Sequence, residues 1–387
     1  MVKLKISLVW PRCAQGEYTV RAKGMILAAL HWGNAEGPLG DWGPIAYVPV
    51  DPAGNGSFFF PGRRGIPDGA THVWARCWLP DFSAFEDAST EIPAAYLPEA
   101  GPPRDTCRFS ILTDLHLAAR PWKIRQALRA AESDTIFLLG DATNDGRPEQ
   151  FEAFRACVEA AAPEKTIFPV TGNHDVPAPV RGAAPQDGVG YADFQRWLLT
   201  RAAAGGHEIA FDPEGRAYTV RIGPLEVIGL QCVTAGRKFL FPEVRQLDWL
   251  EERLRDPAPA WRILLCHAPL LAHNPNRSTG QPYLDRNRRL QALLDSHGGI
   301  IFLSGHTHVS PNRLAGNGEY DEKRRNIYLD CGSVVATDTA GEQGMMSPDW
   351  KDGCVTELAV SAHAVEIRMR SIESGRRFPR GYYRFTV

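Results

Sequence analysis

The sequence predicts a small all-β sandwich over residues 1–103 followed by an α/β domain over residues 104–387. Three observations lead there. Up to residue 103, short apolar runs alternate with Gly, Pro, Asn and Asp clusters, the pattern of closely spaced strands and turns. From residue 104, strand-like runs alternate with segments of helical period, the pattern of a layered α/β fold. Five short polar blocks in that second part each follow directly on an apolar run. They are therefore expected at the carboxyl ends of strands, where α/β folds bind ligands. A length of 387 residues fits two domains, or one large domain with an appendage.

In the first part the strand-like runs cover residues 3–9, 24–31, 45–50, 57–60 and 72–79, with turn signals at 33–34, 51–56 and 67–69. Trp32, Trp42, Trp74, Trp78 and Phe82 could stack on a carbohydrate, but a sandwich core, or a face covering the next domain, accounts for them more simply. Pro98, Pro102 and Pro103 mark a linker. In the second part a strand over 107–112 leads into Asp114-Leu115-His116, and a helix follows over 122–131. A strand over 135–139 leads into Gly140-Asp141-Ala142-Thr143-Asn144, and a helix runs from Pro148, a favoured helix-starting residue, to 161. The run 166–171 leads into Gly172-Asn173-His174-Asp175.

Residues 176–224 are less regular, with one amphipathic helix near 191–204 and a hairpin leading to a strand over 225–231. A helix over 242–254 precedes a strand over 263–266 that ends on Cys266-His267. A helix over 287–296 precedes a strand over 300–303 and then Gly305-His306-Thr307-His308. Strands over 327–330, 355–360 and 365–370 close the domain.

Composition bounds the function. The apolar share is 44% and the charged share 23%, ordinary for a chain with a buried core. A formal net charge of −2 gives no electrostatic reason to expect nucleic acid or an anionic membrane as partner. No segment approaches the roughly 18 consecutive apolar residues of a membrane-spanning helix. The first residues lack the apolar length and cleavage site of a signal peptide. The eight cysteines are scattered without a CxxC pair, so a reducing cytoplasm is expected rather than a disulfide framework.

The five blocks together contribute Asp114, His116, Asp141, Asn173, His267, His306 and His308, which are oxygen and imidazole donors without thiolate. That set suits Mn, Fe or Zn rather than Ca. Seven donors exceed the needs of one catalytic ion; with a shared carboxylate they serve two, the usual device for phosphoryl displacement. In Asp-x-His and His-x-His on extended chain, alternate side chains point the same way and can reach one cluster. Gly140, Gly172 and Gly305 are expected to let the backbone turn sharply after each strand.

In these blocks the chain resembles the calcineurin-like metallophosphoesterase superfamily, whose pattern DxH … GDxx[DN] … GNH[DE] … H … GHxH occurs here in order over roughly residues 105–340. The resemblance implies a four-layer α/β/β/α sandwich of two mixed sheets with the site on edge loops. It implies two divalent or trivalent metal ions (Mn, Fe or Zn). Asp114, His116 and His308 would hold the first; Asn173, His267 and His306 the second; Asp141 would bridge them. It places His174 beside the substrate phosphate, as the group that protonates the leaving oxygen, with Asp175 orienting it or raising its pKa. A hydroxide on the metals would then attack phosphorus directly. Asn144 stands where many relatives carry Asp, which argues against the protein Ser/Thr phosphatase branch. The blocks look closer to the phosphodiesterase and purple-acid-phosphatase-like branches, although the iron-ligating Tyr of the latter is absent after Asp141.

His273, Asn274 and Arg277 could reach the substrate from the loop after His267, or belong to a solvated loop; the basic run 323–325 reads as a solvated turn. The expected substrate is a small-molecule phosphodiester. The alternatives are a phosphomonoesterase, a metal-binding scaffold without activity and a nuclease, the last disfavoured by the lack of a basic stripe. The N-terminal sandwich is open as a dimerisation element.

Overall fold

The computed structural model of the chain divides into two units: Met1–Thr106 with His363–Glu366 and Tyr382–Val387, and Cys107–Ala362 with Ile367–Gly381. It describes residues 2–10, 13–20, 27–39, 46–49, 55–59, 70–79, 81, 83–92, 106–116, 120–180, 188–241, 244–257, 259–270, 273, 287–308, 311, 317–335, 353–375 and 377–386.

Seven strands come first: β1 (Val2–Trp10), β2 (Cys13–Val20), β3 (Leu27–Gly33), β4 (Ala46–Pro49), β5 (Asn55–Phe59), β6 (His72–Trp78) and β7 (Phe85–Glu91). They form two antiparallel sheets, ordered β1-β2-β5 and β4-β3-β6-β7. Strand β6 shows why such a sheet forms. Its Val73, Ala75 and Cys77 are buried while the residues between them are half-buried, the period-two pattern of a two-faced strand. Strand β7, FEDASTE, has no apolar alternation, and the sequence reading passed over it. It forms because β6 supplies a full ladder of partners, from Phe85 against Trp78 to Glu91 against His72. Trp32 is core, and the Trp74 indole N–H donates to the Asn34 carbonyl at 2.9 Å. Trp42, Phe82 and the proline-marked linker lie outside the described residues.

The second unit is an α/β sandwich of four layers. One central sheet has six strands, in the order β10-β9-β8-β20-β21-β22, the start of β21 and the end of β22 being counted with the first unit. In chain order these are β8 (Cys107–Leu112), β9 (Thr135–Leu138), β10 (Thr166–Pro169), β20 (Cys354–Val360), β21 (Ala364–Ser371) and β22 (Arg377–Thr386). The other has seven, in the order β11-β12-β13-β16-β17-β19-β18. These are β11 (Ile209–Phe211), β12 (Tyr218–Ile222), β13 (Leu225–Gly229), β16 (Arg262–Leu265), β17 (Ile300–Ser304), β18 (Gly318–Asp321) and β19 (Asn326–Asp330). A short hairpin, β14 (Val233–Thr234) and β15 (Lys238–Phe239), stands apart.

The helices cover the outer faces. Helices α1 (Pro121–Ala130), α2 (Pro148–Ala161) and α3 (Val189–Ala204) bring Leu128, Phe151, Phe154 and Phe194 against Leu112, Leu138 and Ile167 of the first sheet. Helices α4 (Val244–Arg255) and α5 (Asn287–Ser296) bring Leu250, Leu254 and Leu290 against Ile228, Leu264 and Phe302 of the second. Each such side chain, once buried, contributes about 1.5–3 kcal/mol. The inner faces carry the alternate residues. Phe109 stacks on Phe137 with centroids 4.6 Å apart, and Phe168 of the first sheet meets Tyr218 of the second, whose hydroxyl donates to the Pro169 carbonyl at 3.1 Å.

Strands β8, β9 and β10 run parallel, and so do β13, β16, β17 and β19. Their carboxyl ends therefore gather the loops that follow. Helix limits match the sequence reading to within one or two residues for α1, α2, α4 and α5. Strands β18 and β22 were not anticipated; the run 323–325 is the β18–β19 turn, with Asp321 accepting the Lys323 and Arg324 amides.

Candidate metal centre

All five polar blocks lie in loops just past a parallel strand: after β8, β9, β10, β16 and β17. The loops are knitted by main-chain bonds. Leu115 and His116 amides donate to the Asp141 carbonyl, Asp114 N to Gly140 O, and Gly305 N to His267 O. The His306 amide reaches both Asp114 carboxylate oxygens, at 3.1 and 3.0 Å, so a loop of the second sheet is tied to a loop of the first.

Two groups of donors result. Asp114, His116, Asp141 and His308 place one ligand atom each within 4.8 Å of one another, and so do Asp141, His267 and His306. Asp141 belongs to both. Asn173 stands beside the second group, its Oδ1 3.1 Å from His267 Nε2. The structure thus brings together all seven donors read from the sequence. His174 adjoins them, its ring edge-on to His116 with centroids 4.7 Å apart.

The electrostatics follow from burial. Asp114 and Asp141 are buried, and among the described residues their ion-pair partners are histidines alone: His308 at 3.4 Å from Asp114, His116 at 3.6 Å and His267 at 3.4 Å from Asp141. Burial opposes charge on both carboxylates. For Asp114 the neighbouring His308 outweighs it and brings the pKa down to about 2. His267 and His116 likewise hold Asp141 far below the ordinary carboxylate range. In return, although burial acts the other way, Asp141 lifts His267 to about 10. Burial prevails at His116, lowered to about 4, and at His306, lowered to about 3. Those two rings stay neutral, the form in which imidazole binds a metal.

Two features show that the donors fit metal ions. His306 Nε2 is buried without a hydrogen-bond partner among the described residues, which costs free energy unless a ligand meets it. His267 and His308 direct Nδ1 to the carbonyls of Leu139 (2.7 Å) and Val335 (3.2 Å), so each turns Nε2 inward. Backbone-anchored imidazoles of this kind are characteristic of metal sites.

The backbone itself is strained here. Asp114, His116, Asp141, His306 and His308 all adopt left-handed conformations, with φ of 54°, 45°, 52°, 71° and 53°, a region that side chains with a Cβ rarely occupy. The glycines contribute differently from the expectation of three sharp turns. Gly140 has a φ of 86°, but Gly172 does not adopt a left-handed turn. Gly172 is needed for close approach, because a Cβ there would stand 2.0 Å from the Asp141 amide nitrogen.

Asp175 also differs from expectation: it braces the loop and makes no bond to the His174 ring. Its carboxylate accepts the Gly172 and Thr143 amides at 2.9 and 3.0 Å. Burial and the nearby Asp141 charge raise it to about 7. The His174 ring instead places Nδ1 2.8 Å from the main-chain carbonyl of Asn144. This contact comes from the main chain of residue 144 and does not depend on whether the side chain there is Asp or Asn. Thr143 Oγ1 donates to the His174 carbonyl at 2.9 Å.

One neighbour escaped the sequence reading. Arg237, in the β14–β15 turn, donates to Val176 O at 3.0 Å and Asn144 O at 2.8 Å, and its Nη1 lies 3.3 Å from His174 Nδ1. It belongs to none of the motifs. The one signal was the preceding Gly236 between two apolar residue pairs, a hairpin turn. His273 stacks on Tyr328 at 3.7 Å, away from the five loops in its contacts, and Asn274 and Arg277 lie outside the described residues.

A probable cyclic nucleotide phosphodiesterase of Rhodococcus erythropolis is 27% identical over 215 residues, covering 51% of this chain and 64% of the relative. A cAMP/cGMP dual-specificity phosphodiesterase of Mycobacterium tuberculosis is 25% identical over 213 residues, covering 54% and 60%. This chain thus spans less than two thirds of the length of either relative. Among solved structures, PhoD aligns over 99% of this chain and 88% of its own, at 11% identity and a TM-score of 0.44. The model of the calcineurin-like phosphoesterases matches residues 107–310, more than half of the chain and all but the last strands of the second unit. The chain belongs to the calcineurin-like phosphoesterase family, which hydrolyses phosphoric esters with divalent metals.

Proposed function

We propose that this chain hydrolyses phosphodiesters of small molecules at a dinuclear metal centre. The observation that carries the reading is that Asp141 belongs to both donor groups. Asp114, His116, Asp141 and His308 would hold one ion, and Asp141, Asn173, His267 and His306 the other. Ions bound there supply Lewis acidity toward the phosphoryl oxygens and make water a stronger acid. Mn, Fe and Zn all suit this oxygen and imidazole set.

The chain's own residues would act as follows. Asp114 and Asp141, held ionised, keep the site anionic and attract cations. His174, with Nδ1 at the Asn144 carbonyl, keeps Nε2 for the substrate and passes a proton to the departing oxygen. Arg237 and Thr143 are positioning residues: each fixes the loop that carries His174. Asp175 holds the same loop from beneath through Gly172 and Thr143.

Cyclic nucleotides head the candidate substrates, since both curated relatives are named for them. Nucleotide pyrophosphates and the diesters of glycerol, lipids and sugars follow. In this reading residues 104–387 form the hydrolase domain and 1–103 an accessory domain. Cys77, Cys107, Cys157, Cys232, Cys266, Cys331 and Cys354 are free thiols, and a reducing cytoplasm is the compartment this reading assigns. No helix among the described residues is long and apolar enough to cross a membrane.

The test is hydrolysis of bis-nitrophenyl phosphate, nitrophenyl phosphate and cyclic AMP by metal-stripped protein reloaded with Mn, Fe or Zn. Preference for the diesters is expected. Preference for the monoester would make the chain a phosphomonoesterase; no turnover of any of the three with both ions bound would favour a scaffold.

A further inference from the structure

A cavity of about 770 Å³ lies between helix α3, strand β11 and the β14–β15 hairpin, a size typical of small-molecule sites. None of the seven metal donors lines it. Its walls include Tyr191 and Leu199 from α3, Val233 from β14 and the flanks of the His174 loop, Thr171 and Val176. Leu199 and Val233 are 3% and 4% exposed, while Val189 and Phe211 stand largely exposed at its rim.

Two buried polar groups in the wall have unmet hydrogen-bonding capacity. The Gln231 amide is fixed in orientation, because its Oε1 accepts the Thr171 amide at 2.9 Å and the Thr171 hydroxyl. Its Nε2 is then a donor with no partner among the described residues, on a residue 4% exposed. The Tyr191 hydroxyl, on a residue 5% exposed, lies near the Thr171 and Gln231 side chains but meets neither in hydrogen-bonding geometry. Burial holds its pKa well above the ordinary phenol value, so it remains a neutral donor. A buried donor without an acceptor costs about 1–3 kcal/mol. Of the charges at the rim, Arg196 pairs with Asp193 at 2.9 Å and Glu214 with Arg245 at 3.2 Å, while Arg216 stands exposed with no ion pair among the described residues.

We propose that this cavity is a second ligand site, separate from the metal centre, for an uncharged and mainly apolar small molecule bearing a hydrogen-bond-accepting oxygen. The apolar walls take its body; Gln231 Nε2 and the Tyr191 hydroxyl meet its oxygen. A net charge at the buried donors is disfavoured because the wall around them, Tyr191, Leu199, Gln231 and Val233, holds no ionised side chain to compensate it. An occupant would press on Thr171 and Val176, which bracket Asn173 and His174, so the site adjoins the catalytic loop from a face the metals do not use.

Binding can be read without activity, so failure here is distinct from failure of the phosphodiesterase reading. Saturation-transfer NMR on the full chain, with benzamide and acetophenone as probes and benzoate as the charged control, measures it directly. Both uncharged probes should bind whether the metals are present or chelated, with benzoate weaker by at least about tenfold. Ala192→Trp, at an exposed α3 position in the wall, should abolish binding while leaving the melting curve unchanged. Equal binding by that folded variant, loss of binding on chelation, or no binding of either uncharged probe to the wild type would each overturn the proposal.

Discussion

The loops past β8, β9, β10, β16 and β17 and the sheet β4-β3-β6-β7 are built on opposite terms. The loops hold five of the seven non-glycine residues with positive φ among the described residues, and the sheet holds none. The loops bury two carboxylates against histidines; the sheet keeps its Arg76–Asp87 pair near solvent, where the guanidinium also covers the Phe85 ring at 3.9 Å. Each left-handed residue of this kind costs on the order of 1–3 kcal/mol, and such strain persists only where surrounding structure enforces it. Here the surrounding structure is the pair of packed sheets and the main-chain bonds between their loops. The contrast separates residues chosen for the fold from residues that the fold must hold against their own preference.

The largest break in that contrast comes from Asp141→Ala. It removes the one side chain common to both donor groups, so metal content and turnover should both be lost, as read by elemental analysis and a diester assay. Retention of both ions would show that Asp141 is not their bridge. His174→Ala sharpens the contrast within the loops. It should keep its metals and lose about 10²- to 10⁴-fold in turnover; a variant that loses metal instead would make His174 a ligand.

Matched glycine substitutions probe packing alone. Gly172→Ala drives a Cβ to 2.0 Å from the Asp141 amide nitrogen and should destabilise by about 1–3 kcal/mol or more in urea melts. Gly37→Ala meets nothing within 4 Å and should stay within about 0.5 kcal/mol of wild type. Equal effects would mean that the site loop tolerates a Cβ as well as the open turn after β3 does. The smallest effect belongs to Arg76→Ala. Its ion pair is partly solvated and screened, so the expected loss is about 0–1 kcal/mol, less at high salt; a loss insensitive to salt would point to the Phe85 contact instead.

The donors were legible in the sequence because each sits a few residues past an apolar parallel strand. Such strands announce themselves by composition, and the polar residues beyond them by contrast. What the sequence did not announce depends on distant partners. Strand β7 is a strand only because β6 pairs with it. Arg237 reaches His174 across a separation of 63 residues from a turn that carries no motif. The role of Gly172 rests on the nearness of Asp141, 31 positions earlier in the chain, which no local pattern records. For Asp175, the spacing suggested service to its neighbour His174, whereas the loop folds its carboxylate back onto Gly172 and Thr143.

The most direct test of the shared-carboxylate centre is a titration of the metal-stripped wild-type chain with Mn, following ions bound per chain and diester turnover together. The account predicts two ions per chain, with turnover appearing as the second site fills. Full turnover with a single ion, or a chain that binds none, would contradict it.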